Sequence, residues 1–325
     1  TLRFKILPEG STRYQAFLTG EIEETLLESA QWVKDATRAD FNERAIKVRC
    51  DDWGFAFIGW NALSKPPNPF FGDKRVRLAL ALALDYDFIL QEIYFGLCRP
   101  GVGIFHPDSW MAARGLKPMK RDLDRAEELL AEAGWSDSDG DRVLDKLVNG
   151  VRVPFEFTLS YPNAGTSFKV AEHMRPALEK LGVNCKLEAV DQARYLALVR
   201  DRKLQSFLMV WGTGTDPDTS RNLWTTAAIE GGRNFVGISN ARVDELYAMG
   251  QKELDRAKRA EIYAEIDRIL YEEHPVTVLF YQPTLWAFAK SIRGFHPSPR
   301  GFYRHNPGFL SVWKKKEPPS PAAPR

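Results

Sequence analysis

Val153-Pro154-Phe155-Glu156-Phe157-Thr158-Leu159 reads as a strand, 167–181 as a helix, 184–190 as a second strand, and 191–202 as a second helix. Ser206-Phe207-Leu208-Met209-Val210-Trp211 closes the series as a third strand. Gly182 supplies the stop between the first helix and the strand that follows it. Strand, helix, strand, helix, strand in that order predicts a three-layer α/β lobe with parallel strands, because each crossover must lay its helix on a face of the sheet. Pro176 falls inside the first helix and costs about 3 kcal/mol if unrelieved, so a kink or a late start is expected there.

Working outward, Asp122 caps a helix over 123–133 that Gly134 ends, and Asp73 caps one carrying Val76, Leu80, Ala83 and Leu84 at spacings of three and four. Asp85 restarts a helix through Phe88, Ile89 and Ile93, while 99–118 is irregular. Asn240 and Asp255 cap two further helices; Pro275 stops the second, and 276–281 is a short apolar strand. Upstream, a helix begins near Ser11, and 48–60 is strand or extended chain. Leu2, Phe4 and Ile6 share a face in an alternating opening strand. Pro66-Pro67-Asn68-Pro69 forbids helix and marks a linker. The expected organisation is a first-lobe portion and hinge approach over 1–69, a main α/β ligand-binding lobe over 70–280, a segment returning to the first lobe over 281–313, and a disordered tail over 314–325.

A chain of 325 residues exceeds the usual ceiling for one core, so two lobes are the default. The formal net charge of +2 gives no electrostatic argument for nucleic acid. Cys50, Cys98 and Cys185 fit no metal-ligand spacing, and reduced, buried thiols are expected. No run of about 18 apolar residues occurs, and no basic and apolar leader opens the chain. The chain begins on a strand already under way, as a piece of a longer protein would.

The stretch Trp211-Gly212-Thr213-Gly214-Thr215-Asp216-Pro217-Asp218 is the leading ligand-contact candidate, since a buried strand there opens into glycines, hydroxyls and carboxylates. Such a loop holds a guest and offers no nucleophile or base. The alternative for Asp216 is a cap on the Pro217 turn. Trp60 and Asn61 end a strand, and Asn234 lies in Gly232-Arg233-Asn234-Phe235; each is a ligand contact or a packed core residue. Asp137, Asp139, Asp141 and Asp145 occupy positions 1, 3, 5 and 9 of a calcium-type loop. Its glycine sits at position 4, however, and Val148 stands at position 12. That leaves a weak structural Ca²⁺ site or a solvated acidic turn. The histidines show no H-x-x-x-H spacing, and no G-x-S-x-G or P-loop occurs.

Five segments in order give the chain a resemblance. Phe70 to Asp85, with its Arg75-Val76-Arg77 core, is similar to a helix of the family 5 extracellular solute-binding proteins, the peptide, dipeptide and nickel-binding partners of ABC importers. Ala126 to Trp135, Trp211 to Asp218, Asn234 to Leu246 and Ala260 to Tyr281 resemble further segments of that family. The resemblance implies periplasmic-binding-protein-like type II lobes, three-layer α/β with a mixed sheet. It implies hinge closure over a small polar solute, peptide first and oligosaccharide or metal chelate behind. It also implies a periplasmic or extracellular location, ABC permease subunits and a missing N-terminal part as partners, and no enzymatic activity or required cofactor. In peptide-binding relatives an aspartate just after the tryptophan pairs with the ligand's ammonium. Alignment on Trp211 puts Gly214 there, and alignment on Pro217 leaves Asp216 as the candidate. Two other classes stay open: a sensor or scaffold lobe of the same fold, and a glycan hydrolase using Asp216 and Asp218 as an acid/base pair.

Overall fold

The computed structural model describes residues 3–7, 9–298, 301 and 306–315. Its elements run α1 (Gly10–Leu18), β1 (Glu24–Leu26), α2 (Ala39–Arg44), β2 (Ala45–Cys50), β3 (Gly54–Trp60), α3 (Lys74–Leu82), α4 (Tyr86–Phe88, continued by a π-helical turn to Ile93) and β4 (Arg99–Pro100). Then come α5 (Leu123–Glu132), β5 (Asp145–Val148), β6 (Val151–Pro154), β7 (Glu156–Pro162), α6 (Ser167–Lys180), β8 (Asn184–Val190), α7 (Gln192–Arg200) and β9 (Ser206–Gly212). The short α8 (Arg221–Trp224) and α9 (Ala228–Gly231) lead to α10 (Ala241–Gly250), α11 (Arg256–Glu273) and β10 (Val276–Tyr281). Last are β11 (Thr284–Ala289), β12 (Ile292–Arg293) and β13 (Trp313–Lys314).

The chain divides into two compact units, one built from 1–52 with 282–325 and the other from 53–281. The larger unit therefore begins at Trp53, earlier than the boundary near 70 that the proline cluster suggested. The reason is β3, which sits inside this unit's sheet between β10 and β9. That six-stranded sheet has the order β4-β10-β3-β9-β7-β8, with β7 parallel to both β8 and β9, and β3 antiparallel to β9 and β10. The sheet is thus mixed, and the parallel crossover unit occupies 156–212 as the sequence pattern requires.

Both faces are covered, and β3 shows how. Ala56, Ile58 and Trp60 point into a core built with α3, α5 and α6, while Phe55 and Phe57 point into a second core with α7, α10 and α11. A strand with period-two side chains can serve two cores only if nearly every position is apolar, and this one reads Gly-Phe-Ala-Phe-Ile-Gly-Trp. The helices start where their acids place them: the Asp73, Asp122, Asp191 and Asp255 carboxylates accept backbone N–H groups of the first turns. α6 runs unbroken through Pro176, beginning at Ser167. Gly182, at φ +74°, turns its chain out toward β8 in a conformation that costs other residues.

Two buried ionisable groups and one arginine fix α11. Its last carbonyls would otherwise be orphaned, and the buried Arg77 donates to Glu273 O (2.6 Å), His274 O (3.0 Å) and Phe71 O (2.8 Å). His274 closes the helix at φ +52° with a ring nitrogen 2.9 Å from Thr277 Oγ1; burial and the nearby Arg77 charge lower its pKa to about 4. Farther up the helix, Asp267 accepts from Ile104 N (2.8 Å) and Ala113 N (3.0 Å), binding the irregular 99–118 segment to α11. Burial pushes this carboxyl up to about 6 against the pull of those donors.

In the smaller unit β11 pairs antiparallel with β1 and β2, and β12 with β13. The opening residues form no strand: Phe4 and Ile6 are 86% and 89% exposed, and Leu2 lies outside the described residues. At the other end, Lys314 belongs to β13 and Lys315 N donates to Ser291 O. The expected disordered tail is therefore paired at 314–315, and its remainder, 316–325, lies outside the described residues. The three cysteines are buried and form no disulfide among the described residues.

Candidate functional site

β9 pairs with β3 along its whole length, from Ser206↔Trp60 to Gly212↔Gly54. On its other edge it meets β7 only at Leu159↔Ser206 and Ser160↔Phe207. Past Phe207 the two parallel strands part. α6 leaves β7 for one face and α7 comes from β8 to the other, so a crevice must open between the carboxyl ends of β7 and β9. A cavity of about 830 Å³ lies there, lined by Met209, Val210 and Trp211 of β9 and by the first turns of α6 and α7. Tyr94 and Phe280, with ring centroids 4.4 Å apart, line it from within the first core.

Trp211 forms one wall. Its ring meets Phe235 edge-on at 6.1 Å, and the Arg233 guanidinium lies over it at 5.9 Å. The 231–235 turn that carries Arg233 and Phe235 is held tightly. Arg233 N donates to Asn222 O at 2.8 Å, and a Cβ on Gly232 would lie 2.2 Å from Asn222 Oδ1 and 2.8 Å from the Ala228 methyl. Asn234 anchors the same turn from inside: Nδ2 donates to Thr225 O and Ile238 O, while Oδ1 accepts from Gly237 N and Ile238 N. It is wholly buried, so the expectation of a ligand contact at Asn234 gives way to a structural role.

Trp60 and Asn61 are corrected in the same way. Each is 1% exposed. Trp60 Nε1 donates to Thr277 Oγ1 (2.9 Å) and its ring packs on Phe71 and Phe157. Asn61 ties the end of β3 to the turn before β9, donating to Leu204 O (2.8 Å) and accepting from Leu63 N (3.0 Å). Neither lines the cavity.

The loop after Trp211 is a braced structure. Thr213 is buried, with its N–H on Trp53 O at 2.7 Å. Gly214 packs so closely that a Cβ would fall 2.4 Å from Thr219 Oγ1. Thr215 O accepts from Trp110 Nε1 at 3.3 Å, while Gly212 is exposed. Asp216 Oδ1 accepts Asp218 N to cap the 217–220 turn, and both carboxylate oxygens receive Arg259. Arg259 in turn lies over Trp110. The hydrogen bonds from Arg259 hold the Asp216 carboxyl below the usual carboxylate range. Asp218 is engaged by Gln251 Nε2 (3.1 Å) and Tyr263 OH (3.3 Å). Of the loop candidates, Trp211 alone lines the cavity; Asp216 takes the capping role that its proline neighbour suggested.

The acidic loop is also self-braced. Oxygens of Asp137, Asp139 and Asp141 lie within 4.8 Å of one another. Each of these carboxylates accepts backbone N–H groups of the same loop: Asp137 from Gly140 and Arg142, Asp139 from Asp141, and Asp141 from Val143. Asp145 stands apart from the set, its carboxylate taken by Ser138 N and Oγ and approached by Arg152.

The cavity residues that sequence reasoning passed over are Tyr94, Tyr195, Arg200, Arg233, Phe235 and Phe280. The Gly232-to-Phe235 segment was singled out for its asparagine, which can both donate and accept hydrogen bonds. The signal for Arg233 was its place between a forced glycine and a buried anchor.

Residues 1–232 match the sequence profile described as bacterial extracellular solute-binding proteins, family 5 Middle. The chain is 27% identical over 310 residues to the oligopeptide-binding protein AppA of Bacillus subtilis (strain 168), covering 92% of this chain and 54% of that protein. It is 24% identical over 303 residues to the dipeptide-binding protein of Escherichia coli (strain K12), covering 93% and 53%. The chain thus spans about half the length of the curated relatives it matches. Among solved structures, Bacillus subtilis AppA in complex with a nonapeptide superposes with a TM-score of 0.84 at 26% identity, over 96% of this chain and 60% of that one. Campylobacter jejuni NikZ with Ni(L-His) shares the fold at 0.77 and 23% identity, over 90% and 57%.

Proposed function

We propose that this chain, which belongs to the family 5 bacterial extracellular solute-binding proteins, captures a peptide and hands it to an ABC importer. The observation that carries the reading is the parting of β7 and β9. It leaves one edge of β9 from Leu208 to Gly212 without a partner strand among the described residues, beside a cavity of about 830 Å³ walled by Trp211 and Phe235. An extended peptide fits such a place, with main-chain hydrogen bonds to a strand edge and side chains in an apolar pocket. Binding at a Kd of ~1 μM needs about −8 kcal/mol, which aromatic burial and a few hydrogen bonds supply.

The role is capture without turnover. Asp216 and Asp218, the only pair that the sequence offered for acid/base work, are committed to Arg259, Tyr263 and Gln251. Binding shifts the full protein toward a closed form that permease subunits read, outside the cytoplasmic membrane. Peptide is favoured over sugar or metal chelate by the bound nonapeptide of the Bacillus subtilis relative.

Thermal unfolding of the full-length protein against peptides, oligosaccharides and nickel chelates tests this. A ligand at 100 times its Kd stabilises by ~2.7 kcal/mol, and mass spectrometry recovers it unchanged. A stabilising sugar with inert peptides, or a ligand recovered cleaved, would overturn the reading.

A further inference from the structure

We infer that the cavity selects its ligand by negative charge: a carboxylate-bearing peptide, with no requirement for a free ammonium group. This rests on the capture reading above and names the chemistry of its cargo.

Among the described residues, the cavity's charged lining consists of Arg200 and Arg233, with no aspartate or glutamate. Arg233 is exposed, is stacked over Trp211, and forms no ion pair among the described residues. Arg200 reaches the cavity from the end of α7 with only the exposed Asp201 at Nε, 3.3 Å away. Two acids of the flanking segments are engaged elsewhere. Asp191 caps α7 through Ala193 N and Arg194 N. Asp216 holds both prongs of Arg259. Gly214, on the loop after Trp211, offers no side chain, and a Cβ there would lie 2.4 Å from Thr219 Oγ1. On the opposite wall α6 starts without an acid in its first turn and without a side-chain cap, because Thr166 Oγ1 is bonded to Tyr94 OH at 2.7 Å. The positive end of that helix adds to the arginines. A cationic ligand group would meet two guanidinium groups and no carboxylate. An anionic one gains a planar, two-pronged partner beside an aromatic face.

The test is calorimetric titration of the full-length protein with Ala-Phe-Glu, Ala-Phe-Gln and Ala-Phe-Lys, each free and N-acetylated, at low and moderate salt. Acetylation is expected to change Kd by less than about threefold, and Glu to Lys to weaken binding by at least about tenfold, the scale of one charge-assisted contact. Arg233→Gln is expected to narrow the Glu-to-Gln gap and its salt dependence, and Arg233→Lys to restore part of it. Binding abolished by acetylation, or the lysine peptide bound as tightly as the glutamate one, overturns the charge preference while leaving peptide capture standing. No binding of any of the six overturns both.

Discussion

Asp216 receives both prongs of Arg259, Nη1 to Oδ2 and Nη2 to Oδ1, each at 2.9 Å. The pair joins the loop after β9 to α11, and it occupies the Asp216 carboxylate as Gln251 and Tyr263 occupy that of Asp218. Asp216 is half-exposed, so the pair is worth no more than about 1 kcal/mol. Asp216→Asn is expected to lower stability by that amount at pH 7 and to leave peptide affinity within about threefold. Because the folded carboxyl is held below its unfolded range, the wild-type advantage is present above pH ~4. It is lost as the pH falls through the folded value. Urea unfolding of both proteins across pH, with parallel titrations, measures this. A tenfold loss of affinity would return Asp216 to the binding surface.

Trp211 and Asn61 separate binding from folding. Trp211→Ala removes a cavity wall on a half-buried strand end and is expected to weaken ligand affinity by about tenfold, with under 1 kcal/mol lost in stability. Asn61→Ala strips buried hydrogen bonds and is expected to cost about 2 kcal/mol, with affinity of the remaining folded protein unchanged. Calorimetric titration and chemical unfolding of the two variants give the comparison. The reverse pattern would place the site at the end of β3.

Arg77 serves the buried end of α11. Arg77→Met keeps the packing stem but leaves the carbonyls of Glu273, His274 and Phe71 unpaired, and a loss of about 3 kcal/mol is expected. Lysine cannot reproduce the three-way fork, so Arg77→Lys should recover less than half. Thermal and urea unfolding read both. A loss under 0.5 kcal/mol would show that the helix end needs no cation.

His274 and Asp267 set opposing slopes in stability between pH 4 and 6.5. The His274 pKa is about 4 when folded and near 6.5 when unfolded, so the unfolded chain takes the proton first as the pH falls. Stability is then lost across that window by up to about 3 kcal/mol. Asp267, at about 6 when folded, does the reverse: the folded protein takes its proton first, and stability rises as the pH drops toward 4. His274→Gln removes the first slope only. Relative to wild type it is expected to gain stability steadily from pH 6.5 down to 4, which urea midpoints across pH measure. Parallel pH profiles for the two proteins would refute the buried, neutral histidine.

Much of the fold was legible because its signals are local. Asp73, Asp122, Asp191, Asn240 and Asp255 start helices where capping chemistry puts them, and the two-helix, three-strand crossover lies where its pattern indicated. The opening strand was misread because alternation in Leu2, Phe4 and Ile6 carries no information about a partner strand. The unit boundary was misplaced because prolines mark a break in local structure, whereas β3 is claimed by pairing with strands about 150 and 220 residues away. Of the residues proposed from sequence, Trp211 lines the cavity, whereas Trp60, Asn61 and Asn234 are buried in structural positions away from it. A polar or aromatic residue at the end of a strand looks the same in sequence whether it faces a cleft or a neighbouring backbone. Asn234 shows the difficulty most plainly, since the hydrogen-bonding capacity that recommended it is consumed by its own turn.

Trp211 owes its place to a strand zipped along its whole length to β3, whereas Arg233 and Phe235 ride on a surface turn wedged by Gly232. If the cavity is the ligand site, as proposed, cargo preference and architectural integrity are stored largely in different parts of the chain. On the proposed reading, a substitution at Arg233 would retune which ligand the cavity holds without touching either core, whereas Phe235 also packs against the second core and is less free to change.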